Sequence, residues 1–152
     1  TISEFNYRYS DAQQAQIYVG VKVSDDGDRF KLVNELTQKG YPVSDITDSE
    51  IAKSHIRHMV GGRSPQVGEE QVFRFEFPER PSALANFLIE LGSGLNISMF
   101  HYRNHGSAFG KVLVGFQASK EDGLEVKRFL DELGYRYEDE THNEAYQLFL
   151  GS

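Results

Sequence analysis

The sequence contains no cysteine. Disulfides, thiolate metal sites and cysteine nucleophiles are therefore excluded, and the absence fits a reducing cytoplasm. Basic charge is also scarce: 16 Lys and Arg stand against 23 Asp and Glu, for a formal net charge of −7. Nucleic acids and anionic membranes both require clustered Lys and Arg, so neither partner is expected. No apolar run approaches membrane-spanning length. The opening Thr1-Ile2-Ser3-Glu4 reads as neither a signal peptide nor an initiator sequence, so the chain is expected to begin inside a longer polypeptide. Against these absences, 39% of the residues are hydrophobic, including 8 Tyr and 11 Phe. A packed interior follows, for one domain or two small modules within 152 residues.

An internal repeat organises the chain. Ser3-Glu4-Phe5-Asn6-Tyr7-Arg8 recurs as Ser98-Met99-Phe100-His101-Tyr102-Arg103. At the same offset, Ile17-Tyr18-Val19-Gly20-Val21 maps onto Val112-Leu113-Val114-Gly115-Phe116. One residue is then lost, and Gly40-Tyr41 and Asp45 align with Gly134-Tyr135 and Asp139. Two copies of one supersecondary unit are present.

The second copy reads completely. Phe73, Phe75 and Phe77 alternate with Arg74 and Glu76 as a strand buried on one face. Pro78 ends that strand and Pro81 suits the first turn of a helix carrying Leu84, Phe87, Leu88 and Leu91, stopped by Gly92. Strands near Ile97–Arg103 and Lys111–Ala118 flank a turn at His105-Gly106. A second helix shows Val126, Phe129, Leu130 and Leu133, and a short strand holds Tyr135 and Tyr137. The order β-α-β-β-α-β predicts an α+β, ferredoxin-like module, an antiparallel sheet with helices on one face. The tail Asn143–Leu150 adds a short helix.

The first copy enters at its second strand, with a hairpin over Ile2–Tyr9 and Gln16–Val23, a helix carrying Leu32, Val33 and Leu36, and a last strand marked by Val43 and Ile46. It has no counterpart of Gln71–Asn96. Folding alone would leave strand edges open, so either the fragment borrows a strand or the copy is poorly ordered. A helix is expected over Asp48–Met59, then a linker at Gly61–Pro65. The predicted division is 1–60 for the first module, 61–70 for the linker and 71–152 for the second module.

Phe75-Glu76-Phe77-Pro78-Glu79-Arg80-Pro81-Ser82-Ala83-Leu84, then Asn96-Ile97-Ser98 and Phe100-His101-Tyr102-Arg103, resemble the regulatory region of biosynthetic threonine deaminase. Glu4-Phe5-Asn6-Tyr7-Arg8 and His58-Met59-Val60-Gly61-Gly62-Arg63 match the same family's first module and linker. The resemblance implies two ACT-like modules that follow a pyridoxal phosphate (PLP) catalytic domain of the same chain. It further implies isoleucine as feedback inhibitor, valine as its antagonist, a role in isoleucine biosynthesis, and a tetrameric enzyme in the cytoplasm, or in the plastid of a plant. The fragment itself is expected to hold no cofactor and no catalytic residue. Ser82 stands where the family usually has glycine, and Phe109 and Lys111 stand where Tyr and Arg are frequent.

The loop Pro78–Leu84 is the first candidate for effector binding, through Glu79, Arg80, Ser82, Ala83 and Leu84. A helix N-terminus offers free N–H groups to a carboxylate, and Glu79 could meet an ammonium. Any strand-to-helix turn has the same local form, however. Asn6, Arg8, His101 and Arg103 form the second candidate set, on the sheet face away from the helices. There an arginine either clamps a carboxylate or salt-bridges across a contact between modules. Gly20 and Gly115, mid-strand on that face, suggest close approach by a ligand or another backbone. His55 and His58 have metal-like spacing with no third ligand nearby, and no metal site is expected. Asp45 and Asp139 are read as ending the last strands. The competing functional reading is an oligomerisation module that binds no ligand, and a homodimer is expected of the fragment because its first copy is incomplete.

Overall fold

The computed structural model describes residues 1–9, 13–50, 64, 67–104, 106 and 108–151. Three elements come from the first copy: β1 (Ile2–Arg8), β2 (Ile17–Val21) and α1 (Asp26–Gln38). The second copy supplies β3 (Glu70–Pro78), α2 (Ala83–Gly92), β4 (Ile97–Arg103), β5 (Phe109–Gln117), α3 (Gly123–Leu133) and β6 (Arg136–Asp139), and α4 (Glu144–Phe149) follows. The strands form one antiparallel sheet in the order β2-β1-β4-β5-β3-β6.

The alternation in β3 determines the core. Phe73, Phe75 and Phe77 are fully buried with Phe100, Val112, Val114 and Phe116 from the neighbouring strands, beneath Phe87, Leu91, Val126 and Leu130 of α2 and α3. Phe87 is the hinge of the aromatic packing: its ring stacks on Phe77 at 5.2 Å and meets Phe75 edge-on at 5.1 Å. Each such side chain contributes roughly 1.5–3 kcal/mol by leaving water.

The first copy joins the second in one sheet, but the place beside β2, equivalent to that of β3 beside β5, holds no strand among the described residues. β1 pairs antiparallel with β4, its own repeat counterpart, so that Asn6 lies opposite the equivalent His101. A local two-fold axis therefore passes between these two residues. Both hairpins carry an irregularity at the same place, between Ile2 and Glu4 and between Ile97 and Met99. The backbone hydrogen bond from Lys22 N to Thr1 O is matched by that from Gln117 N to Asn96 O. The repeat is thus structural, down to a shared β-bulge.

Three expectations need correction. First, Val43 and Ile46 form no strand. In the second copy the last strand, β6, pairs with β3. Among the described residues the first copy has no counterpart of β3, so its last strand lacks a partner for its backbone groups. The turn that follows survives in both copies: Asp45 accepts from Thr47 N, and Asp139 accepts from Thr141 N, each at 3.0 Å. Second, α2 starts after Pro81 rather than with it. Ser82 occupies the N-cap with φ +65°, the left-handed region that favours glycine. Third, α4 packs on the sheet face opposite α2 and α3, where Tyr146 and Leu150 meet Val72, Met99 and Leu113. The helices therefore do not all lie on one face, because α4 covers part of the other.

Helix α1 is capped by Asp25, whose side chain accepts from Asp28 N, but none of its residues is buried. On β2, Ile17 is 52% exposed and Val19 43% exposed, on the same face as Phe5 and Tyr7. Residues 51–63, which include His55, His58 and most of the expected linker helix, lie outside the described residues, as does His105.

Candidate functional site

The candidate residues divide between the two faces of the sheet. On the helix face, β3 delivers the loop Pro78–Leu84 to the start of α2. Glu79 is anchored there by two contacts, since its N–H donates to Ala108 O at 2.9 Å and its carboxylate accepts from the Tyr102 hydroxyl. Burial, with Glu79 as hydrogen-bond partner and nearby negative charge, drives the Tyr102 hydroxyl well above the ordinary phenol range. Gly110 makes this arrangement fit: a Cβ there would lie 2.5 Å from Glu79 Oε1 and 2.9 Å from the Tyr102 ring. Tyr102 in turn lies opposite Phe5 of β1, so the loop stands beside the seam between the copies. Ser82 gives α2 no side-chain cap and its first turn holds no acid, which leaves the helix N-terminus electropositive. Arg80 and Ser82 are exposed, while Ala83 and Leu84 lean against the aromatic core.

On the opposite face, Arg8 enters a buried ion pair with Glu70, Nη1 to Oε2 at 2.6 Å. Its Nη2 donates to Leu150 O at 2.8 Å. The Glu70 carboxylate also accepts from Ser98 Oγ, and from the Tyr146 hydroxyl at 2.5 Å. Burial and the adjoining Glu70 carboxylate push the Tyr146 hydroxyl up, with Arg8 opposing. Five groups from β1, β3, β4 and the C-terminal segment thus share one buried polar cluster. It lies over Gly115, where a Cβ would come within 3.0 Å of both Glu70 Oε2 and Ser98 Oγ. The close approach at Gly115 is made by a glutamate of this chain. Gly20 has the equivalent neighbour in Ser3, with Oγ 2.9 Å from where a Cβ would stand.

Nearer the local two-fold axis, Glu4 lies opposite Arg103 and Asn6 opposite His101. Glu4, Asn6 and Arg8 are all buried. Burial first, then the neighbouring Arg103 cation, hold the His101 imidazole down at about 4, with Glu4 partly opposing. His101 is therefore neutral at pH 7 in the folded chain. Because its folded value lies below the ordinary 6.5, the unfolded chain binds the extra proton between those limits, and stability should fall as pH drops from about 6.5 to about 4. The loss is at most about 3 kcal/mol. His101→Asn, which copies the equivalent Asn6, should flatten that part of a urea-midpoint profile; an unchanged slope would remove His101 as its source.

The two candidate sets do not converge. Glu79, Arg80, Ser82, Ala83 and Leu84 lie at the helix side of the seam, whereas Asn6, Arg8, His101 and Arg103 lie behind the sheet. Sequence reasoning missed Tyr102 and Gly110 on one side, and Glu70, Ser98 and Tyr146 on the other. Gly115 was legible as a mid-strand glycine, whereas Gly110 lies outside the strand expected over Lys111–Ala118, and the carboxylates that the two admit come from residues distant in sequence. A cleft of about 350 Å³ between Leu95, Ala118, Val126 and Phe129 sits at the other end of α2 and contains none of these residues. Among the described residues no group of three or more acids or histidines could hold a metal, and no helix is long and apolar enough to cross a membrane.

Compared with known families, residues 1–56 and 61–150 match the C-terminal regulatory domain of threonine dehydratase. The chain belongs to this family. It is 48% identical over 149 residues to the biosynthetic L-threonine dehydratase IlvA of Burkholderia multivorans, covering 98% of this chain and 29% of that protein. It is 46% identical over 152 residues to the Escherichia coli enzyme of the same name, covering 99% and 29%. With the mitochondrial threonine dehydratase of Saccharomyces cerevisiae it shares 44% over 159 residues, 99% of this chain and 27% of that protein. The chain spans less than a third of the relatives it matches, and it corresponds to their C-terminal regulatory part. Its antiparallel α+β architecture suits the ACT-like modules expected of that region.

Proposed function

We propose that this chain senses branched-chain amino acids for a threonine dehydratase, binding isoleucine as feedback inhibitor and valine as antagonist. The observation that carries this reading is the Glu79 carboxylate, fixed by Tyr102 within the space left by Gly110, next to the uncapped N-terminus of α2. A zwitterionic, apolar amino acid needs three things: an acceptor for its ammonium, donors for its carboxylate and a dry wall for its side chain. Glu79 supplies the first and the opening N–H groups of α2 the second. Phe5, Ala83, Leu84 and Leu88, which already border the core, supply the third.

On this reading the fragment has no lyase activity of its own. The parent is a PLP-dependent threonine ammonia-lyase whose cofactor sits in its catalytic domain, and it assembles as a tetramer. The modules divide at 1–60, 61–70 and 71–152. As an isolated chain it forms a dimer, because Ile17, Val19, Val21 and Val23 remain bare.

Amide exchange with and without isoleucine tests the site. Slowing should concentrate at residues 79–85 and around Phe5. Slowing confined to His101–Arg103 and Asn6–Arg8 would move the site behind the sheet.

A further inference from the structure

The Glu79 carboxylate is held by the proton of the Tyr102 hydroxyl. That hydroxyl has one proton and two lone pairs, so what meets its oxygen decides where the proton goes. Asn104 acts there. It stands two residues beyond Tyr102 at the end of β4, so its side chain projects to the same side. Its Oδ1 accepts from Gly106 N at 2.9 Å, closing the turn after β4 through a left-handed glycine with φ +80°. With that oxygen committed to the turn, the amide NH2 is the end that faces Tyr102. Burial and then Glu79 push the phenol ionisation up, while the hydrogen bond from Asn104 pulls it down, as a donor to the phenol oxygen must.

The same turn is tied to both copies. Asn104 N donates to Ser3 O of the first copy at 3.3 Å, and Ala108 O, beyond the turn, accepts from Glu79 N at 2.9 Å. This end of the β4–β5 hairpin thus grips the loop after β3 by its backbone and by its side chain, from a place fixed against β1. We infer that Asn104 is a positioning residue for the effector site: its amide donates to the Tyr102 oxygen and turns the phenolic proton onto Glu79 Oε1, which keeps Glu79 Oε2 for the ammonium of the effector. The three groups form a chain polarised in one direction, in which each hydrogen bond strengthens the next. Without the amide, the hydroxyl is free to rotate away, and the carboxylate loses its fixed place over Gly110. Asn104 does not touch the effector and acts only through Tyr102. The inference rests on the placement of the effector at Glu79 proposed above.

A double-mutant cycle separates this role from a plain turn role. Asn104→Ala should weaken isoleucine binding by about 10-fold, the loss expected of one hydrogen bond in a charged chain. In a Tyr102→Phe background the same change should alter Kd by less than about 2-fold, because the group it acts through is gone. Equal losses in both backgrounds would overturn the inference and leave Asn104 as a residue that shapes the turn. Amide exchange without effector gives a second readout. The Glu79 amide should exchange about 10-fold faster in Asn104→Ala and in Tyr102→Phe, and no faster in the double variant, with Phe75 and Val114 unchanged. A Glu79 amide unmoved by Asn104→Ala would overturn the positioning role. Should the unaltered chain bind neither isoleucine nor valine, the effector reading fails by itself, and the exchange cycle still decides whether Asn104 fixes Glu79.

Discussion

Arg8→Met is expected to destabilise the chain by about 3–5 kcal/mol, because it strands a buried carboxylate. Glu70 would keep Ser98 and Tyr146 as donors but lose the cation that it pairs with. The damage should spread along a defined route. Arg8 also holds Leu150 O, so its loss frees the C-terminal segment that covers Val72 and Met99, and it loosens β1 from β4. Denaturation with urea should show the lower midpoint, and amide exchange should rise at Asn6–Arg8 and Tyr146–Leu150 before it rises in β3. Pairing Arg8→Met with Glu70→Gln should recover part of the loss, since a neutral amide is far cheaper to bury than an unpaired charge. A single Arg8→Met variant within about 0.5 kcal/mol of the parent chain would contradict the role given to the cluster.

Glu79→Gln should weaken effector binding by about 1.5–3 kcal/mol, roughly 10- to 150-fold in Kd, by removing a charged acceptor for the ammonium. The substitution is nearly isosteric, and the glutamine carbonyl can still accept from Tyr102, so folding should change little. Gly110→Ala approaches the same site from the other side, because its Cβ would displace the Glu79 carboxylate and crowd the Tyr102 ring. It should lower affinity with the carboxylate intact. Unchanged calorimetric affinity in both variants would remove Glu79 from the site.

Much of this fold was legible in the sequence, for identifiable reasons. β3 alternates Phe with Arg and Glu, and α3 carries Val126, Phe129, Leu130 and Leu133 on one stripe, so period alone predicted both elements. The repeat showed that the first copy was incomplete, and the resemblance supplied the family. Pairing across the repeat was not legible. That Asn6 would meet its own counterpart His101 depends on two edges closing on each other, which no local pattern encodes. The missing strand at Val43 and Ile46 fails for the same kind of reason: its residues are adequate, but its neighbour is absent from the described residues. Arg8 and Gly115 carried a readable signal, an unusual charge and an unusual glycine behind one sheet. Their partner, Glu70, lies 62 residues from Arg8, beyond the reach of any spacing argument. Ser82 has φ +65°, a backbone conformation that local sequence pattern does not announce for a serine.

Calorimetric titration of the purified chain with isoleucine, and separately with valine, tests the central claim most directly. Saturable binding of both is expected, each competing with or altering the other, and both weakened by Glu79→Gln. A chain shown by circular dichroism to be folded that takes up neither amino acid at millimolar concentration would contradict the account. It would leave the chain as a module that joins subunits without sensing an effector.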